Sequence, residues 1–136
     1  MGCDIHVQLE VLWKGQWVGT ETGGSDATHS RNYRRFARLA NVRGDHEEAR
    51  QRGLPDDASP LSQMRHEDWG GDAHSASWET LRDFVRICLE TEYDPENVFL
   101  DPEDKRGTEP YTHYFGMYVG EDFNLDDYRV VFWFDN

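Results

Sequence analysis

Along the first stretch of the chain, Cys3, Ile5, Val7, Leu9, Val11 and Trp13 alternate with Asp4, His6, Gln8, Glu10 and Leu12. Side chains alternate across a strand, so this pattern predicts a β-strand with one apolar face and one face that is polar up to Leu12 and turned to water. Lys14-Gly15 reads as a turn, and Gln16, Trp17 and Val18 as the returning strand. Tyr33, Phe36, Ala37 and Ala40 then recur at helical spacing, with Ser30 as the N-cap and Arg31, Arg34, Arg35 and Arg38 on another face. Residues 43–77 are polar and punctuated by Gly and Pro; short helices are expected near Glu47–Arg52 and Leu61–Asp68. "SWETLRDFVRICLE" is the clearest helix. Ser77 reads as its N-cap, Glu79 suits the helix dipole in the first turn, and Trp78, Leu81, Phe84, Val85, Cys88 and Leu89 form its buried face. "YFGMYVG" reads as a short strand. The closing "YRVVFWFDN" is an uninterrupted β-branched and aromatic run, which predicts a central strand buried on both faces. Strands at both ends with helices between them predict a single small α+β domain over residues 1–136. Its sheet is mixed or antiparallel, the N- and C-terminal strands are adjacent, and two main helices pack on it.

Composition changes this picture in three respects. First, 136 residues suit one core, and although only 37% are hydrophobic, five Trp, seven Phe and six Tyr can fill it with few side chains. Second, no apolar run is long enough to cross a membrane, and the start has neither a basic segment followed by an apolar stretch nor a Ser or Thr at position 6 for myristoylation. Cys3 and Cys88 both fall on apolar faces and read as reduced, buried thiols of a cytoplasmic protein. Third, the net charge is −13, from 27 acids and 14 bases. That argues against direct binding of duplex nucleic acid and leaves cation binding, solubility or mimicry of an acidic polymer.

Candidate chemistry sits where polar residues repeat a ligand-like spacing. Asp4 and His6 share the polar face of the first strand, and "WGGDAHSAS" repeats the spacing with Asp72 and His74. Should that loop fold over the first strand, the four side chains would meet, with Asp135 joining from the neighbouring last strand. Two Asp and two His suit a divalent metal (Mn, Mg or Zn) in a one- or two-metal hydrolytic site. The D-x-H after a strand and the later Gly-Asp also resemble calcineurin-like metallophosphoesterases. The chain lacks their Asn-His segment and late Gly-x-His, and is shorter than that fold. The alternative for Asp72 and His74 is a capping turn. The arginines at 31, 34, 35 and 38 read either as a solvated face paired with the chain's own acids or as a stripe that holds phosphate. His29, His46, His66 and His113 read as surface residues, and Asp56 and Asp57 of "RGLPDD" as loop acids.

Taken together, "MGCDIH", "RNYRRFARLA", "RGLPDD", "WGGDAHSASW" and "RVVFWFDN" resemble a family of small proteins encoded by tailed phages and bacterial prophages. The blocks cover about a third of the chain and span it from end to end. The resemblance implies a phage product in the bacterial cytoplasm that counters host defence, and brings no catalytic residues with it. The resulting expectation is a metal-dependent phosphodiesterase or nucleotidase acting on a small, cyclic or NAD-derived, nucleotide. Asp4, His6, Asp72 and His74 would be catalytic ligands, Asp135 a further ligand, and the four arginines would bind substrate. The alternatives are a non-catalytic nucleotide sponge, expected as a homo-oligomer with pockets between subunits, and an acidic inhibitor of a host defence protein.

Overall fold

A computed structural model describes residues 2–20, 29, 31–43, 51–92, 109–117 and 124–135. The predicted hairpin forms. Strand β1 (Asp4–Trp13) turns at Lys14-Gly15 into β2 (Gln16–Gly19). Both turn residues have positive φ, 50° and 76°, which matches the right-handed twist of the flanking strands and favours Gly. The last strand, β4 (Tyr128–Asp135), lies antiparallel against β1 with Asp4 opposite Asp135 and Val11 opposite Tyr128. Strand β3 (His74–Thr80) pairs antiparallel on the other side of β4, so the four-stranded sheet runs β2-β1-β4-β3. This is the expected α+β architecture, with the terminal strands adjacent and the last one central and buried on both faces.

Helices cover both faces of the sheet, each for a different reason. Cys3 just before β1, Ile5, Val7 and Leu9 of β1, and Val130, Phe132 and Phe134 of β4 form the floor of the main core. On it rest α1 (Tyr33–Ala40), α3 (Leu81–Glu92) and α4 (Glu109–Phe115), through Phe36, Leu39, Phe84, Val85, Tyr111 and Phe115. The opposite face carries α2 (Pro60–Trp69), a largely polar helix whose buried anchor is Ser62. The expectation of a wet second face is therefore corrected: His6, Gln8 and Glu10 are buried. Polar groups can be buried there because α2 supplies their partners. Arg65 donates to the Val7 carbonyl and Gln8, at 2.7 and 3.0 Å, and Trp69 stacks on His6 with ring centroids 4.1 Å apart.

Several local expectations shift. Residues 74–80 are strand, so Ser77 caps no helix and Trp78 is no part of the buried face of α3. The ladder with β4 satisfies their backbone, and the helix begins only at Leu81, where the Thr80 hydroxyl accepts from the Asp83 amide at 3.1 Å. Helix α1 is capped by Asn32, whose side chain accepts from the Arg35 amide, and Arg31 precedes the helix. Ser30, the expected cap, lies outside the described residues, as do His46 and residues 47–50 of an expected helix; Gln51 and Arg52 are not helical. Tyr114 and Phe115 close α4 rather than opening a strand, with the Gly116 amide donating to the Thr112 carbonyl at 2.8 Å. His29 is buried among Phe84, Tyr114 and Phe115, and His66 packs edge-on to Trp133. His29 is thus not the surface histidine expected, whereas His66 is only half-buried. Cys3 and Cys88 are buried thiols that form no disulfide, and desolvation pushes the Cys3 thiol above its ordinary value.

Candidate functional site

The polar face of β1 ends in two separate constellations. At its N-terminal end, register places Asp4 across from Asp135 and His6 across from Trp133. His6 Nε2 lies 2.9 Å from Asp135 Oδ2, and the Asp4 amide 3.4 Å from Asp135 Oδ1. Arg31 closes on the Asp4 carboxylate with two hydrogen bonds, from Nε at 2.7 Å and from Nη2 at 3.2 Å. A Cβ on residue 2 would lie 1.8 Å from Arg31 Nη1, so Gly2 makes room for that arginine. The paired guanidinium holds the Asp4 carboxyl below the usual carboxylate range. Trp69 and Trp133 both pack near the His6 ring, with centroids 4.1 and 6.2 Å away.

Of the predicted ligands, the fold thus brings Asp4, His6 and Asp135 together. It does not bring the other two to them. His74 pairs with Phe134 and stacks on that ring at 6.2 Å, which turns it to the face holding the main core. Its Nδ1 meets Ser75 Oγ at 2.9 Å, and its buried Nε2 finds no hydrogen-bond partner among the described residues. Ser75 has a φ of 56° within the irregularity between His74 and Ser77 that sets this orientation. Asp72 is exposed in the helical turn Gly70–Asp72. Among the described residues, no group of three or more His, Cys, Asp or Glu is arranged to hold a metal ion. Asp4 holds Arg31 with both carboxylate oxygens, and His6 meets Asp135.

The arginines do not form a phosphate stripe either. Arg31 holds Asp4. Arg35 is buried; it donates from Nε to Thr91 Oγ1 at 2.9 Å and from Nη2 to the Cys88 carbonyl at 3.0 Å. There it satisfies acceptors at the C-terminal end of α3, where the helix dipole favours a cation. Arg38 pairs with Glu90 at 2.6 Å, and Arg34 is exposed. Three of the four therefore serve intramolecular pairs, two of them joining α1 to α3.

The second constellation, toward the other end of β1, joins Glu10 and Asp57, legible in the sequence only as a strand acid and a loop acid, to Arg129. Glu10 and Arg129 face each other across β1 and β4, and Nε of Arg129 donates to Glu10 Oε1 at 2.6 Å. The other Glu10 oxygen accepts from the Ser59 amide and the Ser62 hydroxyl, both at 2.7 Å. Ser59 is the N-cap of α2 and Pro60 opens the helix, so this carboxylate sits at a helix N-terminus. Outward of the pair, Arg129 Nη1 donates to Asp57 Oδ1 at 2.9 Å and Nη2 to the Asp57 carbonyl at 3.2 Å. The guanidinium lies 4.2 Å from the Trp17 ring centroid and 5.9 Å from that of Trp78.

Loop 51–59 and β3 wall a cleft beside it. The Gly53 amide donates to the Ala76 carbonyl at 2.9 Å and the Arg52 amide to Ser77 Oγ at 3.2 Å, which stitches the loop to the edge of the sheet. The cleft, about 570 Å³, is lined by Arg52, Leu54, Pro55, Asp56, Asp57, Trp78 and Arg129. Arg52 spreads over Trp78, its guanidinium carbon 4.5 Å from the ring centroid. It approaches Glu79 only to 3.6 Å, so this guanidinium makes no hydrogen bond among the described residues. Chemically the cleft offers the Trp78 ring with the Arg52 guanidinium laid over it and ion-paired to Glu79, and a second guanidinium clamped on a surface carboxylate. Alternation had marked Glu10, and "RGLPDD" had drawn attention to its acids; neither signal pointed to Arg52, Trp78 or Arg129.

No helix among the described residues is long and apolar enough to cross a membrane. No family model matches the chain, and neither a curated protein nor a solved structure matches it.

Proposed function

We propose that this chain binds a small nucleotide in the cleft between residues 52–57 and Trp78, and holds it without cleaving it. The observation that carries the reading is the Arg52 guanidinium laid over the Trp78 ring in a cleft of about 570 Å³, within the range of small-ligand sites. A nucleobase is the planar group that both an indole and a guanidinium accept, and phosphate oxygens suit arginine donors. With a net charge of −13, the chain repels long polyanions, which favours a ligand carrying only a few charges. The likeness to phage proteins extends the proposal: the nucleotide would be a host defence signal, sequestered in the bacterial cytoplasm.

The test is calorimetric titration of the purified chain with a panel of cyclic dinucleotides and NAD-derived nucleotides, followed by chromatography of the ligand. Binding of one class, with the ligand recovered unchanged, is the expected result. Trp78→Ala should weaken it roughly 5- to 150-fold, the range for losing one base stack. No binding across the panel, or full affinity in the Trp78 variant, would remove the reading.

Hydrolysis with a divalent ion is the second reading, and the meeting of Asp4, His6 and Asp135 favours it. Against it, Arg129 in the cleft lies four residues along the sheet from the level of His6 and six from that of Asp4 and Asp135, which at about 3.3 Å per residue is roughly 13 to 20 Å. A phosphate held on Arg129 would lie beyond the reach of those groups. Loss of a nucleotide with Mn²⁺ present, abolished by EDTA, would favour hydrolysis over sequestration.

A further inference from the structure

We propose that Asp57 is a built-in competitor for the ligand's anionic group, occupying on Arg129 the position that a phosphate takes when the nucleotide binds; this rests on the cleft reading above. Three observations lead to it. Arg129 is divided between a permanent partner and an exchangeable one. Toward the sheet it holds Glu10, fully buried and fixed by two further hydrogen bonds from α2. Toward the cleft it holds Asp57, whose side chain is 68% exposed. A carboxylate so exposed loses little by turning back into water, because a pair with one solvated partner contributes only a small factor.

The second observation is geometric. Asp57 reaches Arg129 through both its side chain and its main-chain carbonyl. The carbonyl contact can hold the loop in place while the carboxylate leaves, so exchange frees Arg129 Nη1 without unfolding the cleft wall. The third concerns charge. Arg52 lines the same cleft, and its ion pair with Glu79 is longer than a hydrogen bond, at 3.6 Å, so an entering phosphate meets one loosely held guanidinium and one that becomes available on exchange. A group with several anionic oxygens can engage both arginines, which a single carboxylate from the loop does not do.

The exchange accounts for an otherwise awkward feature, a cleft for an anion with Asp56 and Asp57 in its own lining. It makes Asp57 a specificity element: ligands with a di- or triphosphate-like group displace it, whereas uncharged nucleosides leave it in place.

The experiment compares wild type, Asp57→Asn, Asp57→Ser and Asp56→Asn by titration with ADP and with inorganic pyrophosphate. Asp56→Asn removes the same charge from the cleft lining without touching the bond to Arg129. The expected result is a two- to fivefold gain in affinity for both probes in the two Asp57 variants, and less than a twofold change in Asp56→Asn. Equal affinities in all four proteins overturn the competitor role and leave nucleotide binding standing. Equal gains in the Asp56 and Asp57 variants also overturn it, since repulsion without exchange explains them. Failure of every protein to bind either probe overturns the phosphate site itself, and with it the nucleotide reading for ADP-like ligands.

Discussion

Replacing Glu10 by Ala removes a buried carboxylate on which β4 and the start of α2 converge. Arg129 is 5% exposed and would keep its charge, with its Nε facing a space that no longer holds an acceptor. The Ser59 amide and the Ser62 hydroxyl would lose their acceptor at the start of α2. Breaking a buried pair from one side costs about 3–5 kcal/mol, chiefly because the remaining charge stays buried without compensation. The two further lost bonds push toward the upper end, while the retained contact of Arg129 with Asp57 pulls toward the lower. About 4 kcal/mol is the working figure, a large part of the roughly 5–15 kcal/mol that holds a domain of this kind together. Urea unfolding followed by tryptophan fluorescence and by far-ultraviolet dichroism measures it, and the fluorescence also reports Trp17 and Trp78 beside the pair. The double variant Glu10→Met, Arg129→Met should recover much of the loss, since two apolar side chains of similar volume replace the pair without an orphaned charge. A cost below about 1 kcal/mol for Glu10→Ala would refute the claim that this pair anchors α2. A double variant worse than both singles would refute the desolvation argument.

Three further outcomes follow from other parts of the molecule. Arg31→Ala should return the Asp4 carboxyl toward its ordinary value, because the guanidinium is what lowers it. The stabilisation from that pair is whole above pH 3.8, the unperturbed value, and fades as pH falls through the lowered one; NMR titration of Asp4 and acid unfolding of both proteins should show the difference between them vanishing in strong acid. Gly15→Ala should cost about 1–2 kcal/mol in urea unfolding, since the turn requires a φ of 76° although the space around it is open. Leu39→Ala should cost about 2–5 kcal/mol, because this side chain is fully buried beneath the sheet and α3; a loss under 1 kcal/mol would mean that the site collapses around the cavity.

Much of the fold was legible because period-2 and period-3.6 patterns report burial directly. Alternation in residues 3–13 marked β1, and the unbroken "VVFWF" marked a strand covered on both sides. Position 77 was misread for a physical reason: the helical spacing of Leu81, Phe84, Val85 and Cys88 extends backward by chance to Trp78, and no local signal says that β4 needs a second neighbour. The polar face of β1 was misread likewise. A polar alternation means that the side chains need hydrogen-bond partners, and water or a polar helix can both supply them. Which of the two does so depends on where α2 lands.

The candidate site divides along the same line. Residue types that carry chemistry are visible in one dimension, so Asp4, His6 and Asp135 could be singled out, and antiparallel register then placed them together. Convergence of distant segments is not visible there. Whether His74 faces His6 or the opposite side turned on one irregularity at Ser75, and a one-residue shift reverses a strand's faces. Whether the arginines at 31, 35 and 38 were free for a ligand depended on Asp4, Thr91 and Glu90 being next to them. The cleft draws Arg52, Trp78 and Arg129 from three segments that only the stitching of loop 51–59 to β3 unites. From the sequence alone came the α+β class, the adjacency of the terminal strands and the residues able to do chemistry, because burial periodicity and side-chain type are local. Only the tertiary structure decided which of those residues neutralise one another and which remain open to a ligand, because charge pairing depends on distances of a few ångströms across the sheet.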